Sequence, residues 1–125
     1  MGPTIIGIGL TADHPSIVED HPAMTPEVIK KGLQKTEADC TGAGYDYHEF
    51  FINPEDDFKR LTDELKARRW DGVVIGFGVR GNPKLTVFFE RIVNTVIECA
   101  PQAKFIFNYS PDSTLEGAKR QLPIS

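Results

Sequence analysis

The sequence has little of what secreted, membrane-spanning and metal-clustered proteins usually require. Its two cysteines, Cys40 and Cys99, stand alone without a Cys-x-x-Cys pair, which favours a reduced intracellular protein over a disulfide-stabilised one. No apolar run is long enough to span a bilayer, and the chain does not begin with a basic segment followed by an apolar one. We therefore expect a cytoplasmic protein with no membrane partner.

Positive charge is also scarce. Fourteen Lys and Arg against 18 Asp and Glu give a formal net charge of −4, with a pI of about 5.3. This balance argues against nucleic acid as a partner, because nucleic acids bind basic surfaces. A length of 125 residues with 40% hydrophobic content is sufficient for one core, so we expect residues 1–125 to form a single domain.

Strand and helix patterns alternate along the whole chain. Strand patterns lie at Thr4–Leu10, Tyr45–Ile52, Asp71–Phe77 and Lys104–Tyr109, and helix patterns at about 26–41, 54–69, 83–99 and 111–121. The helix starts share a capping residue before a proline, at Thr25, Asn53, Asn82 and Ser110. This order predicts a three-layer α/β/α fold, flavodoxin-like or Rossmann-like, with a four-stranded parallel sheet in the order 2-1-3-4.

In such a sheet, ligands bind at the carboxyl ends of the strands, where the winding reverses between the first and third strands. The loops that meet there, 11–24 and 76–83, are the two most unusual in the chain. Loop 11–24 is long, since a strand-to-helix connection usually takes about two to six residues. The sequence therefore predicts the functional site at this edge.

Loop 76–83 reads GFGVRGNP, and its glycines Gly76, Gly78 and Gly81 have the spacing G-x-G-x-x-G. In dinucleotide-binding folds this motif follows the first strand, whereas here it follows the third, so no cofactor is predicted. A second interpretation is an anion site, because the next helix begins without an acidic residue and Arg80 lies just before it. The alternative is that the glycines serve only turning and packing, and that Arg80 pairs with a surface acid.

Loop 11–24 contains the tripeptide Asp-His-Pro twice, at 13–15 and 20–22. The spacing matches no zinc signature, so no metal site is predicted. If the protein is an enzyme, His14 or Asp13 is the candidate proton carrier, since histidine titrates near neutral pH. The alternative is a stiff, solvated loop with no chemical role.

Two apolar surfaces suggest self-association. The third helix pattern is apolar on more than one side, and the last strand, FIFNY, is an apolar edge. We therefore expect a homodimer. Glu90 and Asn94, one turn apart on that helix, are expected to form a polar seam at a helix or subunit contact.

Several segments together resemble a family of short flavodoxin-like α/β proteins from bacteria and fungi. They are Val74-Ile75-Gly76 with Gly78-Val79-Arg80, Phe89-Glu90 with Asn94, Ala100-Pro101 with Phe107-Asn108, and, more weakly, Met24-Thr25 to Gly32-Leu33. The resemblance covers most of the chain and implies the same fold. It emphasises Arg80, Glu90, Asn94 and Asn108, but implies no substrate, because no activity is established for that family.

Three functional hypotheses follow. The first is a small-ligand-binding protein, or an acid–base enzyme acting on a small metabolite, with a bound phosphate or carboxylate. Its ligand-binding residues would be Gly76, Gly78, Arg80, Gly81, Asn82, Asn108 and Ser110. The second is a non-catalytic homodimeric adaptor or regulatory module. The third is a hydrolase or transferase acting on a nucleotide, which requires loop 11–24 to close over the phosphates.

Overall fold

Four strands form one parallel sheet in the order β2-β1-β3-β4. A computed structural model describes residues 2–124, and their side chains except those of Val18, Asp20 and Pro111. The strands are β1 (Thr4–Gly9), β2 (Asp46–Phe51), β3 (Gly72–Ile75) and β4 (Lys104–Phe107). The predicted α/β class, parallel sheet and strand order are confirmed. Residues 1 and 125 of the predicted single domain lie outside the described residues.

Helices cover both faces of this sheet. They are α1 (Pro15–Asp20), α2 (Pro26–Gly42), α3 (Lys59–Ala67), α4 (Phe77–Arg80), α5 (Thr86–Cys99) and α6 (Thr114–Gln121), with short 3-10 helices at Pro83–Leu85 and Pro111–Ser113. Helices α3 and α5 pack on one face, and α2 and α6 on the other. The predicted three-layer arrangement is confirmed.

The alternation of side chains along β1 explains why the two faces of the sheet differ. Ile6 and Ile8 are buried against the α3/α5 layer, where a continuous apolar core forms. On the opposite face β1 carries Ile5 and then two glycines, Gly7 and Gly9. Because successive side chains of a strand point to opposite faces, β1 has no side chain toward α2 near its carboxyl end.

Two of the connections contain more helix than their sequences predict. Loop 11–24 includes α1, and loop 76–83 includes the single turn of α4 directly after β3. The first loop is therefore not simply a solvated connection. Its helix begins with the same capping-residue-then-proline signature as the other helices, here His14 and Pro15.

One predicted helix start is wrong. Asn53-Pro54 predicted a helix from residue 54, but α3 begins at Lys59. The Asn53 side chain instead accepts a hydrogen bond from the backbone N–H of Thr11 at 3.1 Å, and the backbone N–H of Asn53 donates to the Asp56 carboxylate at 2.7 Å. Asn53 thus ties the loops after β1 and β2 together. Thr25 does cap α2, accepting from the N–H of Val28 at 3.3 Å.

Within residues 2–124, no helix combines the length and the apolar composition needed to cross a membrane.

Candidate functional site

A cavity of about 400 Å³ lies at the carboxyl ends of the strands, between the sheet and α2. The two unusual loops both line it: Ile17, His21 and Met24 come from the first, and residues 76–79 from the second. Its volume lies within the range of about 300 to 1,000 Å³ that is typical of small-molecule sites. The cavity therefore occupies the edge where this class of sheet usually binds ligands.

Glycine creates this space. At Gly7, an added Cβ would lie 2.3 Å from the Tyr47 hydroxyl oxygen, so the room there is already taken by a neighbouring side chain. At Gly9, an added Cβ would meet nothing within 4 Å. Gly9 lines the cavity and pairs in register with Phe51 of β2, another lining residue. The missing side chain of Gly9 is therefore part of the cavity itself.

The lining of the cavity is mostly apolar. Its aliphatic members include Ile8, Leu10, Ile17, Ile29, Leu33 and Val74. Polar side chains are few, and among the residues that the structure describes no lysine or arginine lines the cavity. Such a surface suits a ligand with an apolar body and one or two polar contacts.

The one carboxyl group in the described lining belongs to Glu49 on β2. The Tyr47 hydroxyl donates a hydrogen bond to its Oε1 at 2.7 Å. Desolvation raises the pKa of Glu49 to about 7; the Glu37 carboxylate on α2 adds to this rise, while the Tyr47 hydrogen bond opposes it. Glu49 therefore exchanges its proton near neutral pH, as a general acid or base must.

Tyr47 remains the donor in this pair. Burial, and secondly the negative charge of Glu49, hold its pKa well above the usual range. The sequence motifs singled out neither residue. The stretch YDYHEFF did carry a signal for both residues. Because side chains alternate between the two faces of a strand, Glu49 lies on the same face as Tyr47, and the strand register sets it opposite Gly7 of β1.

The seven predicted ligand-binding residues divide into two groups. Gly76, Gly78, Asn108 and Ser110 line the cavity. Arg80, Gly81 and Asn82 lie outside its lining. The structure therefore brings together the residues that follow β3 and β4, but not Arg80 at the end of α4 or the two residues after it.

Arg80 has contacts of its own. Its Nη2 donates to the backbone carbonyl of Asn108 at 2.9 Å, and its guanidinium carbon lies 5.3 Å from the ring centre of Phe77 and 5.4 Å from that of Phe107. These contacts join α4 to the end of β4. Arg80 is nevertheless exposed, and anion binding by its guanidinium stays a prediction.

Asn108 is buried, and both ends of its amide are occupied. Its Oδ1 accepts from the N–H of Phe77 at 2.9 Å, and its Nδ2 donates to the hydroxyl of Thr114 at 2.9 Å. It thus connects the end of β4 with the starts of α4 and α6. The Ser110 hydroxyl donates to the Asp112 carboxylate at 2.6 Å, at the outer side of the same turn.

Gly81 and Asn82 have local structural partners. A Cβ at Gly81 would lie 2.5 Å from the Phe77 ring, so the glycine permits a close approach that a larger residue would prevent. Asn82 accepts from the N–H of Lys84 at 3.0 Å and caps the 3-10 turn that precedes α5. For these two residues the geometry favours the turning-and-packing interpretation.

The proposed proton carriers, His14 and Asp13, are not among the residues that line the cavity. Nδ1 of His14 accepts from the N–H of Ser16 at 3.2 Å and caps α1, while its Nε2 lies 3.2 Å from Glu55 Oε1. Asp13 is exposed. His21, from the second Asp-His-Pro, does line the cavity, whereas the Asp20 side chain lies outside the described ones. Catalysis by His14 or Asp13 stays a prediction.

Metal-ligating groups do not cluster in the part of the chain that the structure describes: no three His, Cys, Asp or Glu side chains are placed to hold an ion. Glu90 and Asn94 are both exposed on α5, so the expected polar seam involves neither the cavity nor the core.

Comparison of the chain with protein-family models, with curated protein sequences and with solved structures finds no match. The resemblance to the bacterial and fungal family therefore stays a prediction, and the cavity has to be interpreted from its own geometry.

Proposed function

We propose that this protein binds a small, largely apolar molecule in the cavity between β1 and α2. The observation that carries the proposal is the cavity itself, an apolar space of about 400 Å³ that opens where β1 ends in Gly9. Residues of the sheet edge, α1, α2 and α4 line this space. Binding to such a preformed site buries apolar surface without ordering the protein first.

The composition of the lining favours an uncharged or cationic ligand over an anion. A phosphate in the cavity would lose its hydration beside the carboxyl group of Glu49 and would find no lysine or arginine among the described lining residues. The predicted anion site at Arg80 is therefore a separate hypothesis, located outside the cavity.

Replacing Gly9 by leucine tests the proposal. The new side chain would occupy the empty space, so we expect the affinity for the neutral fluorescent probe phenylnaphthylamine to fall by at least about tenfold. Folding should be retained, because the added Cβ meets no atom within 4 Å and a glycine inside a strand is itself unfavourable. The measurement is a fluorescence titration combined with thermal unfolding.

Gly42→Leu is the matched control, because Gly42, at the end of α2, also has open space around an added Cβ and does not line the cavity. Unchanged probe binding in Gly9→Leu would contradict the proposal. A thermal shift caused by inorganic phosphate and lost in Arg80→Ala would instead favour the anion hypothesis.

A homodimeric module is the second candidate function. Strand β4 pairs only with β3 in the described sheet, so its outer edge is open to a second copy of the chain. Phe107 at this edge is partly exposed, and α5 exposes 77% of Val87 and 54% of Ile97. An open strand edge and exposed apolar side chains on the neighbouring helix are features that a second copy of the chain would cover.

For this candidate we expect sedimentation equilibrium at micromolar concentration to give a dimer, and Val87→Lys combined with Ile97→Lys to weaken it by at least about tenfold, because each lysine would bury an unpaired charge. The control is Gln34→Lys combined with Thr41→Lys, which adds the same two charges at exposed positions of α2, on the face of the sheet opposite α5. A wild-type monomer at these concentrations would rule the candidate out.

A further inference from the structure

Only one of the two oxygens of Glu49 is used within the protein. Oε1 accepts from the Tyr47 hydroxyl, whereas in the described part of the chain no hydrogen bond or ion pair reaches Oε2. This oxygen lies beside the backbone of Gly7, 3.1 Å from where a Cβ would be. Glu49 lines the cavity, and no buried side-chain oxygen of the described residues is without a partner, so Oε2 keeps access to solvent. A ligand that displaces this solvent has to supply a donor in its place.

The ionisable groups around Glu49 do not provide a permanent positive charge. Tyr47 flanks it on β2, and Glu37 and Cys40 face it from α2. Burial raises the pKa of the Cys40 thiol to about 11, with the Asp39 and Glu49 carboxylates adding to the rise, so Cys40 stays neutral. His21 lies elsewhere in the lining. The part of the cavity around Glu49 therefore carries a negative charge whenever Glu49 is ionised.

We propose that the ligand of this cavity is an apolar primary amine, whose ammonium group donates to Oε2 of Glu49 while its apolar body packs between Gly9 and α2. This assignment rests on the proposed function and names the chemical class of its ligand. Charge-assisted hydrogen bonds are about twice as strong as neutral ones, and pairing with a cation offsets part of the desolvation cost of a partly buried carboxylate.

The pH dependence of binding follows from the same pair. Only ionised Glu49 attracts an ammonium group, and desolvation raises the pKa of this carboxyl to about 7 in the empty cavity. Affinity for an amine with a pKa near 10 should therefore be constant between about pH 8 and pH 9. Below about pH 6 it should fall about tenfold for each decrease of one pH unit. An alcohol should show a much weaker dependence.

Three probes with the same body separate the possibilities: phenylbutylamine, phenylbutanol and phenylbutanoate, titrated calorimetrically against the full chain at about pH 8. We expect the amine to bind at least about tenfold more tightly than the alcohol, and the carboxylate most weakly of the three. Glu49→Gln should lower amine affinity by at least about tenfold and leave alcohol affinity within about threefold.

The possible results of these titrations separate the proposed function from the assignment of an amine ligand. Absence of binding by all three probes would overturn the proposed function and this assignment with it. Equal affinities, tightest binding of the carboxylate, or unaltered amine binding by Glu49→Gln would overturn the assignment while leaving the cavity as a ligand site. The same titration at about pH 5 checks the assignment in the wild-type protein alone, since a pH-independent amine affinity would also overturn it.

Discussion

Glu49→Gln should raise the free energy of unfolding by roughly 2 to 3 kcal/mol at about pH 8 and leave it almost unchanged at about pH 4. The reason is the cost of holding an ionised carboxyl group in an apolar cavity. Burial raises the pKa of Glu49 from 4.5 to about 7, and every tenfold change in proton affinity corresponds to about 1.4 kcal/mol. We take a value below the full product because the side chain is only partly shielded from water.

The sign follows from proton binding. Because the pKa of Glu49 is higher in the folded protein than in the unfolded chain, the folded state binds the proton more tightly. The wild-type protein is therefore most stable with respect to this group below about pH 4.5, loses stability up to about pH 7, and changes no further above it. Glutamine has no such dependence, and its amide oxygen can still accept the Tyr47 hydrogen bond.

Urea unfolding of both proteins across this pH range measures the difference directly. Glu90→Gln is the control, because Glu90 is exposed on α5 and its replacement removes the same formal charge from the chain. Parallel stability curves for wild type and Glu49→Gln would mean that the carboxyl group is well solvated, and the cavity could then no longer be described as apolar around it.

A carboxylate that destabilises the folded state is most simply explained by function. Glutamine at this position is expected to stabilise the protein, and a group that is kept at a cost in stability is typical of a site that uses it. A ligand ammonium paired with Oε2 would restore the lost stability on binding. The stability measurement and the amine titration thus examine two consequences of the same buried group.

The layered fold was predictable because its signals are local. Strand β3 is the four-residue buried run GVVI, and Thr25-Pro26 marks the start of α2 as both side-chain chemistry and proline geometry require. The strand order follows from right-handed crossovers once the elements are assigned. The helix start predicted at Asn53-Pro54 was wrong because the Asn53 side chain binds Thr11, a residue distant in the sequence. No local pattern reveals such a contact.

The residues that form the cavity were harder to predict from the sequence, because they depend on the register between the strands and on positions where a glycine leaves space. Glu49 faces the cavity since its strand pairs with β1 in a register that sets it opposite Gly7. Gly9 matters through the volume that it leaves empty. Arg80, by contrast, attracted attention as a cation in a glycine loop, yet in the folded chain it is not part of the cavity lining and packs against the rings of Phe77 and Phe107.

Asn108→Leu should lower the free energy of unfolding by roughly 2 to 5 kcal/mol, because the change removes both hydrogen bonds of a buried side chain at once. The N–H of Phe77 would lose its acceptor and the hydroxyl of Thr114 its donor. Leucine has the same number and branching of side-chain heavy atoms as asparagine and a larger volume, so the loss would come from unsatisfied polar groups rather than from a cavity. Chemical denaturation measures the effect, and Asn94→Leu, exposed on α5, should be nearly neutral.

The same variant decides what kind of residue Asn108 is. The sequence predicts a ligand-binding role, whereas its two hydrogen bonds assign the amide to the junction of β4, α4 and α6. Loss of a positioning residue should weaken stability strongly, and Thr114→Val, which breaks one bond of the pair, should produce a part of that loss. If Asn108→Leu were instead as stable as the wild type but bound phenylbutanol much more weakly, the amide would be contacting the ligand directly, and the ligand-binding interpretation from the sequence would be the correct one.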